Sequence, residues 1–155
     1  MKTILFIGRF QPFHIGHLSV LKKIDKRNDV KKIIIGIGSA QYSNTQKNPY
    51  SFEQRKKMIV NVCKSKIKKS ITVIPLDDFN NNAKWVKNVE KMAKIFNEAY
   101  SGNDLVTKLL SERGYLINKI DKSIDISATK IREMIKKGDI QWKKYIPYSD
   151  AEIYN

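Results

Sequence analysis

Short, unbroken apolar runs alternate along this chain with longer stretches in which apolar residues recur every three or four positions. Thr3 to Gly8 (TILFIG), Ile33 to Ile37 and Ile71 to Ile74 have the character of strands buried on both faces. From His14, residues Ile15, Leu18, Leu21 and Ile24 fall near one face of a helix, which the polar stretch from Asp25 to Asp29 closes. Ser51 stands where an N-cap belongs, before a helix carrying Phe52, Met58, Ile59, Val62 and Cys63. Trp85, Val89, Met92 and Phe96 mark a third helix. A short strand around Ala99 and Tyr100, a helix from Asn103 to Arg113, a fifth strand from Tyr115 to Ile120 and a helix capped by Ser127 follow. This alternation predicts right-handed crossovers and an α/β fold: a single doubly wound, Rossmann-like domain with one parallel sheet covered on both faces. In such sheets ligands bind beyond the carboxyl ends of the strands, where the strand order reverses, so chemistry is expected in the loops that follow the strands.

Composition narrows the class. The 155 residues fit one domain, with a core over about residues 3–147 and a tail over 148–155 that reads as a docking strand, a subunit contact or a loose end. A hydrophobic share of 41% with 29% charged residues is globular and argues against wholesale disorder. No apolar run approaches the roughly 18 residues of a membrane span, and MKTILFIGRF turns polar too soon for a signal peptide. A cytoplasmic protein without a membrane partner is expected. The lone Cys63 excludes an internal disulfide and a cysteine-based zinc site. The net charge of +15 points to anions, and leaves nucleic acid, an anionic membrane and phosphorylated metabolites open. With only five arginines in a chain so rich in lysine, an arginine is the more telling residue, because its planar fork holds phosphate or carboxylate at two points.

Two segments offer phosphate chemistry. The loop after the first strand, Gly8-Arg9-Phe10-Gln11-Pro12-Phe13-His14-Ile15-Gly16-His17, opens a helix whose free N–H groups and dipole favour negative charge. Its histidines, three apart and the only two of the chain, can lie on one side of the turn. Gly16 between them would let a nucleotide approach the backbone. As an isolated pair they would read instead as one capping or core histidine beside an exposed one. Near the other end, Ser127 is a cap candidate, and Thr129 and Arg132 share the first-turn face of the last helix, where hydroxyl, N–H groups and guanidinium can converge on a polyphosphate.

These residues carry a resemblance. His14-Ile15-Gly16-His17 resembles the HxGH signature of the nucleotidyltransferase superfamily, and Ile126 to Arg132 resembles its ISSTxxR partner. GRFQPFHIGH, IGSAQ (Ile37 to Gln41), NPY (Asn48 to Tyr50), NAKWV (Asn82 to Val86) and YSGN (Tyr100 to Asn103) are similar to the narrower pattern of archaeal-type nicotinamide-nucleotide adenylyltransferases. The resemblance implies attack of the 5′-phosphate of nicotinamide mononucleotide (NMN) on the α-phosphate of ATP, giving NAD and pyrophosphate. It implies His14, His17 and Arg132 as catalytic residues, with His17 at the α-phosphate. ATP would be bound by Gly8, Arg9, Phe10, Gln11, Gly16, Gly102, Asn103, Ile126, Ser127 and Thr129. The NMN side would comprise Asn82 on the carboxamide, Trp85 on the nicotinamide ring, Lys47 and Ser39. Magnesium (Mg2+) would arrive with ATP, so no dedicated metal site is expected, and relatives of this kind assemble as homo-oligomers.

Several points stay open at this level. Trp85, in register with Val89 and Met92, reads equally well as core. Ala128 replaces a second serine of the family pattern. Lys47 stands where relatives carry arginine, and is either a phosphate contact or drift. Gln54 replaces glutamate before Arg55, which leaves Arg55 as a structural partner or a groove residue. Within the superfamily, phosphopantetheine or FMN is an alternative acceptor. Class I aminoacyl-tRNA synthetases share the HIGH tetrapeptide, but the length excludes a whole synthetase and no KMSKS-type loop is present. A basic nucleic-acid-binding module is the alternative from another class. Its support is the acid-free run Arg55 to Lys69, whose apolar residues Met58, Ile59, Val62 and Cys63 favour an inward face and a solvated basic one.

Overall fold

The computed structural model describes residues 1–120 and 125–154. Five strands, β1 (Lys2–Gly8), β2 (Val30–Ile37), β3 (Ser70–Pro75), β4 (Glu98–Ser101) and β5 (Leu116–Lys119), form one sheet in the order β3-β2-β1-β4-β5. Every pairing is parallel. The helices are α1 (Ile15–Asp25), α2 (Phe52–Lys66), α3 (Asn82–Ala93), α4 (Asp104–Glu112), α5 (Ala128–Lys136) and α6 (Ala151–Tyr154), with a 3-10 helix at Ile140–Tyr145. The chain winds outward from β1 through β2 to β3, then returns to the other side of β1 to add β4 and β5. The order therefore reverses between β1 and β4, and their carboxyl ends diverge there into a crevice.

Alternation along the central strands builds two cores. Ile4 and Phe6 of β1 and Ile33, Ile35 and Ile37 of β2 pack with Leu21 of α1, Met58 and Ile59 of α2 and Ile131 of α5. Leu5, Ile7 and Ile34 face the other way, onto Val89 and Ala93 of α3 and Leu110 of α4. Each of these fully buried aliphatic side chains contributes about 1.5–3 kcal/mol relative to exposure, which is why β1 carries no polar residue from Ile4 to Ile7.

Two expectations change. Phe96 does not lie on the third helix, which ends at Ala93. Lys94 adopts a left-handed backbone (φ 59°) that turns the chain, and Phe96 is buried in a stack on Tyr115 at 4.3 Å. Likewise, the segment after Pro147 is neither a strand nor a loose end. Tyr148 donates its hydroxyl to the Phe13 carbonyl (2.9 Å), Ile153 of α6 is buried, and Asn61 of α2 donates to Glu152 (2.8 Å).

At the amino ends of β1 and β4, far from the crevice, the buried Glu98 carboxylate accepts from Arg27 (2.7 and 3.0 Å), Lys2 (2.6 Å) and Asn118 (3.0 Å). Arg27 foremost, then Lys2 and Asn118, hold the Glu98 carboxyl down at about 2 against the cost of burial. Its folded pKa is depressed, so its stabilisation is complete above the unfolded value of about 4.3 and is lost as pH falls toward the folded value. Thermal melts from pH 7 to pH 2.5 should show the wild-type Tm falling more steeply below pH 4.5 than that of Glu98→Gln. At pH 7 the variant should be destabilised by about 2 kcal/mol, because charged hydrogen bonds from Arg27 and Lys2 are lost while both cations keep Asp29. Parallel Tm curves would contradict this assignment.

Candidate active site

The crevice is a cleft of about 730 Å³ bordered by the β1–α1 loop, the ends of β1 and β4, and the start of α5. His14 is the N-cap of α1: its Nδ1 accepts the Gly16 N–H (3.0 Å), while His17 Nδ1 accepts the His14 N–H (3.1 Å). Two orphan donors of the helix start are thus satisfied by imidazoles in a reciprocal box usually made by Ser or Thr with Glu or Gln. The rings stack at 3.7 Å, and His17 also meets Phe10 (4.8 Å) and Phe13 (5.6 Å). Burial lowers His14 to about 4, and burial together with His14 itself holds His17 well below the usual histidine range. Both are neutral at pH 7. With Nδ1 engaged as acceptor, the proton sits on Nε2, so each ring is a neutral N–H donor.

The glycines of this loop first serve its own side chains. A Cβ on Gly16 would lie 2.8 Å from His14 Cε1, and one on Gly8 would lie 2.9 Å from the Phe10 ring. Gly16 therefore makes room for the capping imidazole, a reason the expectation of backbone access for a nucleotide did not include. Phe10 is buried with a left-handed backbone (φ 52°) and packs edge-on against Phe6 at 5.3 Å.

Arg132, on the first turns of α5, donates to the Gln11 carbonyl (2.8 Å) and reaches Thr129 Oγ1 (3.3 Å), while Ser127 caps the helix by accepting from Lys130 N–H (3.2 Å). Gln11 is buried, its amide paired at two points with the Tyr50 backbone (2.8 and 3.0 Å), so it braces the loop from within. Arg9 lines the cleft and donates to the Lys47 carbonyl. Lys47 itself is exposed and is not among the cleft-lining residues; it takes part through its backbone.

Across the cleft, Asn82 and the half-buried Trp85 open α3. Trp85 packs against the second core, as its register with Val89 and Met92 implies, and also lines the cleft. Ser39, buried with φ 48°, donates to Asp78 Oδ2 (2.7 Å), and the Asp78 backbone is paired at two points with the Gln41 amide (2.9 Å each). Gly102 and Asn103 lie beyond β4, with Asn103 capping α4 onto Val106 N–H (3.1 Å). Ile126 and Gly16 complete the wall below. The cleft thus gathers the expected residues apart from Lys47. It adds Asp78 and Phe79, which no sequence motif singled out, although both follow directly on the third strand's carboxyl end, where ligand contacts concentrate. Among the described residues, no group of three or more His, Cys, Asp or Glu is placed to hold a metal ion.

Arg55, completely buried, lies behind the cleft. Its guanidinium donates to the carbonyls of Arg9 (2.9 Å), Gly38 (2.8 Å), Ser39 (3.2 Å) and Ser51 (3.2 Å). Arg55 is therefore inside and takes no part in a basic helix face. Gln54 closes the capping box with Ser51 (2.8 and 3.2 Å), the role a glutamate would fill.

The cytidylyltransferase-like family pattern matches residues 5–134. The chain belongs to this family. Within the cytidylyltransferase-like family its similarity is sharper still. A nicotinamide-nucleotide adenylyltransferase of Methanococcus aeolicus is 44% identical over 145 residues, covering 92% of this chain and 82% of that one. Its counterpart in Thermoplasma volcanium is 40% identical over 149 residues, covering 95% and 82%. Among solved structures, a bifunctional NMN adenylyltransferase/ADP ribose pyrophosphatase of Francisella tularensis, complexed with AMP and a manganese ion, is 32% identical with a TM-score of 0.75. That match covers 98% of this chain and 46% of the Francisella chain, so this protein spans just under half of the bifunctional one.

The neutral histidine pair is directly measurable. Nitrogen-detected NMR should show both imidazoles as Nε2–H tautomers at pH 7, with no histidine titrating between pH 5.5 and 8 and His14 titrating near pH 4. A midpoint near 6.5 for either ring would contradict the buried, capping geometry.

Proposed function

We infer that this protein is a nicotinamide-nucleotide adenylyltransferase, which joins ATP and NMN into NAD with release of pyrophosphate. The observation that carries the reading is the stacked, neutral pair His14 and His17 at the start of α1, in one cleft with Arg132 at the start of α5. An oxygen of the NMN phosphate forms a bond to the α-phosphorus of ATP while the bond to the departing pyrophosphate oxygen breaks. This needs in-line placement and neutralisation of developing charge, and no covalent nucleophile.

Each residue has a task in that scheme. The Nε2–H groups of His14 and His17 donate to the phosphates, with His17 at the α-phosphate, where charge grows most. Arg132, Thr129, Ser127 and the first N–H groups of α5 hold the β- and γ-phosphates. Arg9 stands where the two phosphate chains meet. Gly102 and Asn103 flank the adenosine, Trp85 stacks on the cationic nicotinamide ring, and Asn82 bonds its carboxamide. ATP would bring magnesium with it, since the acidic side chain that lines the cleft among the described residues, Asp78, is already bonded to Ser39; the ion would supply charge neutralisation on the phosphates.

Chromatography of ATP and NMN incubated with the protein and magnesium should show NAD and pyrophosphate accumulating together. Absence of NAD would contradict the reading. His17→Ala also removes a cap and a stacked ring, so its Tm should fall; assayed below that Tm, its kcat should be lower by about a hundredfold or more, as for loss of one donor to a transition-state oxygen, with far less effect on KM. Turnover near wild type would refute the role of His17.

A further inference from the structure

The reaction scheme leaves unused the most deeply buried cation among the described residues, Arg55. Among the described residues, the hydrogen bonds of the Arg55 side chain go to carbonyl oxygens, and the Asp78 carboxylate acts on it only through space. Without the guanidinium, carbonyls of two separate loops would lose their donor, so the loops are held together through this one side chain. The carbonyls it gathers come from two separate loops, those leaving β1 (Arg9) and β2 (Gly38, Ser39). Both loops contain a non-glycine residue in the left-handed region, Phe10 (φ 52°) and Ser39 (φ 48°), a conformation that costs energy and persists only where the surroundings impose it.

The loop leaving β2 carries Ser39 of the acceptor side, and the loop leaving β1 brings Arg9 to where the two phosphate chains meet. Arg9 projects into the cleft, and Ser39, whose carbonyl Arg55 grips, fixes the Asp78 carboxylate through its hydroxyl. The phosphate ligands on the ATP side are secured otherwise: His14 and His17 by their reciprocal cap, Arg132 by the Gln11 carbonyl. We propose that Arg55 is a positioning residue for the acceptor nucleotide, setting through the carbonyls of Arg9, Gly38 and Ser39 where Arg9 and the Ser39–Asp78 pair meet NMN. A planar fork spans carbonyls of both loops at once; a lysine ammonium is a point charge and cannot replace it.

The inference rests on reading the cleft as an ATP and NMN site, and calorimetry separates the two claims. Wild-type protein that binds neither ATP nor NMN contradicts the assigned function itself. With wild-type binding established, Arg55→Lys should lose about tenfold to a hundredfold in kcat/KM for NMN, the scale of a misplacement near 1 Å, while its ATP affinity stays within about twofold. Ser39→Ala should lower kcat/KM for NMN by about tenfold, and the double variant should lose no more than Arg55→Lys alone, because both act along one route. Equal losses for ATP and NMN, wild-type kinetics in a folded Arg55→Lys, or additive losses in the double variant would overturn the proposal. Should Arg55→Lys fail to fold, Ser39→Ala decides: an NMN-selective loss supports the route through Ser39, and unchanged NMN kinetics overturns it.

Discussion

The cleft depends on how the first turn of α1 satisfies its own backbone. The leading N–H groups of a helix have no carbonyl partners within it, and here two of them are answered by imidazole nitrogens. That interaction fixes the tautomer of both histidines and seats their rings face to face. It also requires glycine at position 16, where a Cβ would strike the His14 ring. Burial completes the effect by keeping both rings neutral. A capping detail thereby determines what kind of donor the site presents to an anion.

The sheet supplies the second condition. Reversal of strand order between β1 and β4 opens the crevice above β1, and α1 and α5 both point their amino ends toward it. The five arginines then divide by environment. Arg27 and Arg113 pair with Glu98 and Glu90, Arg55 grips loop carbonyls, and Arg9 and Arg132 enter the cleft. Burial, and after it the neighbouring Arg9, lower Arg132 from its usual range. The lysines, by contrast, lie largely outside it: no lysine lines the cleft among the described residues. The large positive charge of the chain is thus mostly surface composition, while two guanidinia and two helix starts face the cleft.

Much of this was legible in the residues themselves. Unbroken apolar runs identify β1 to β3 because central parallel strands are buried on both faces, and the histidine loop is recognisable because position and residue types agree. What escaped depends on contacts distant in sequence. Phe96 keeps helical spacing from Met92, yet a left-handed Lys94 takes it off the helix and onto Tyr115. The final residues carry no periodicity long enough to announce α6, whose place is set by Tyr148, Glu152 and Ile153 meeting other elements. Arg55 lies in a run of basic residues, and only the fold shows that its neighbours are carbonyls. Asp78 has no motif; its position follows from pairing with Ser39 and Gln41 across two loops.

The most direct test of the account is a crystal structure with NAD bound. The dinucleotide's two phosphates should lie at the start of α1, with oxygens about 3 Å from an imidazole Nε2 and beside Arg9, Arg132 should face the space left by the departed pyrophosphate, and the nicotinamide should rest on Trp85. Dinucleotide bound elsewhere, or imidazoles turned to present Nδ1 to the phosphates, would contradict it.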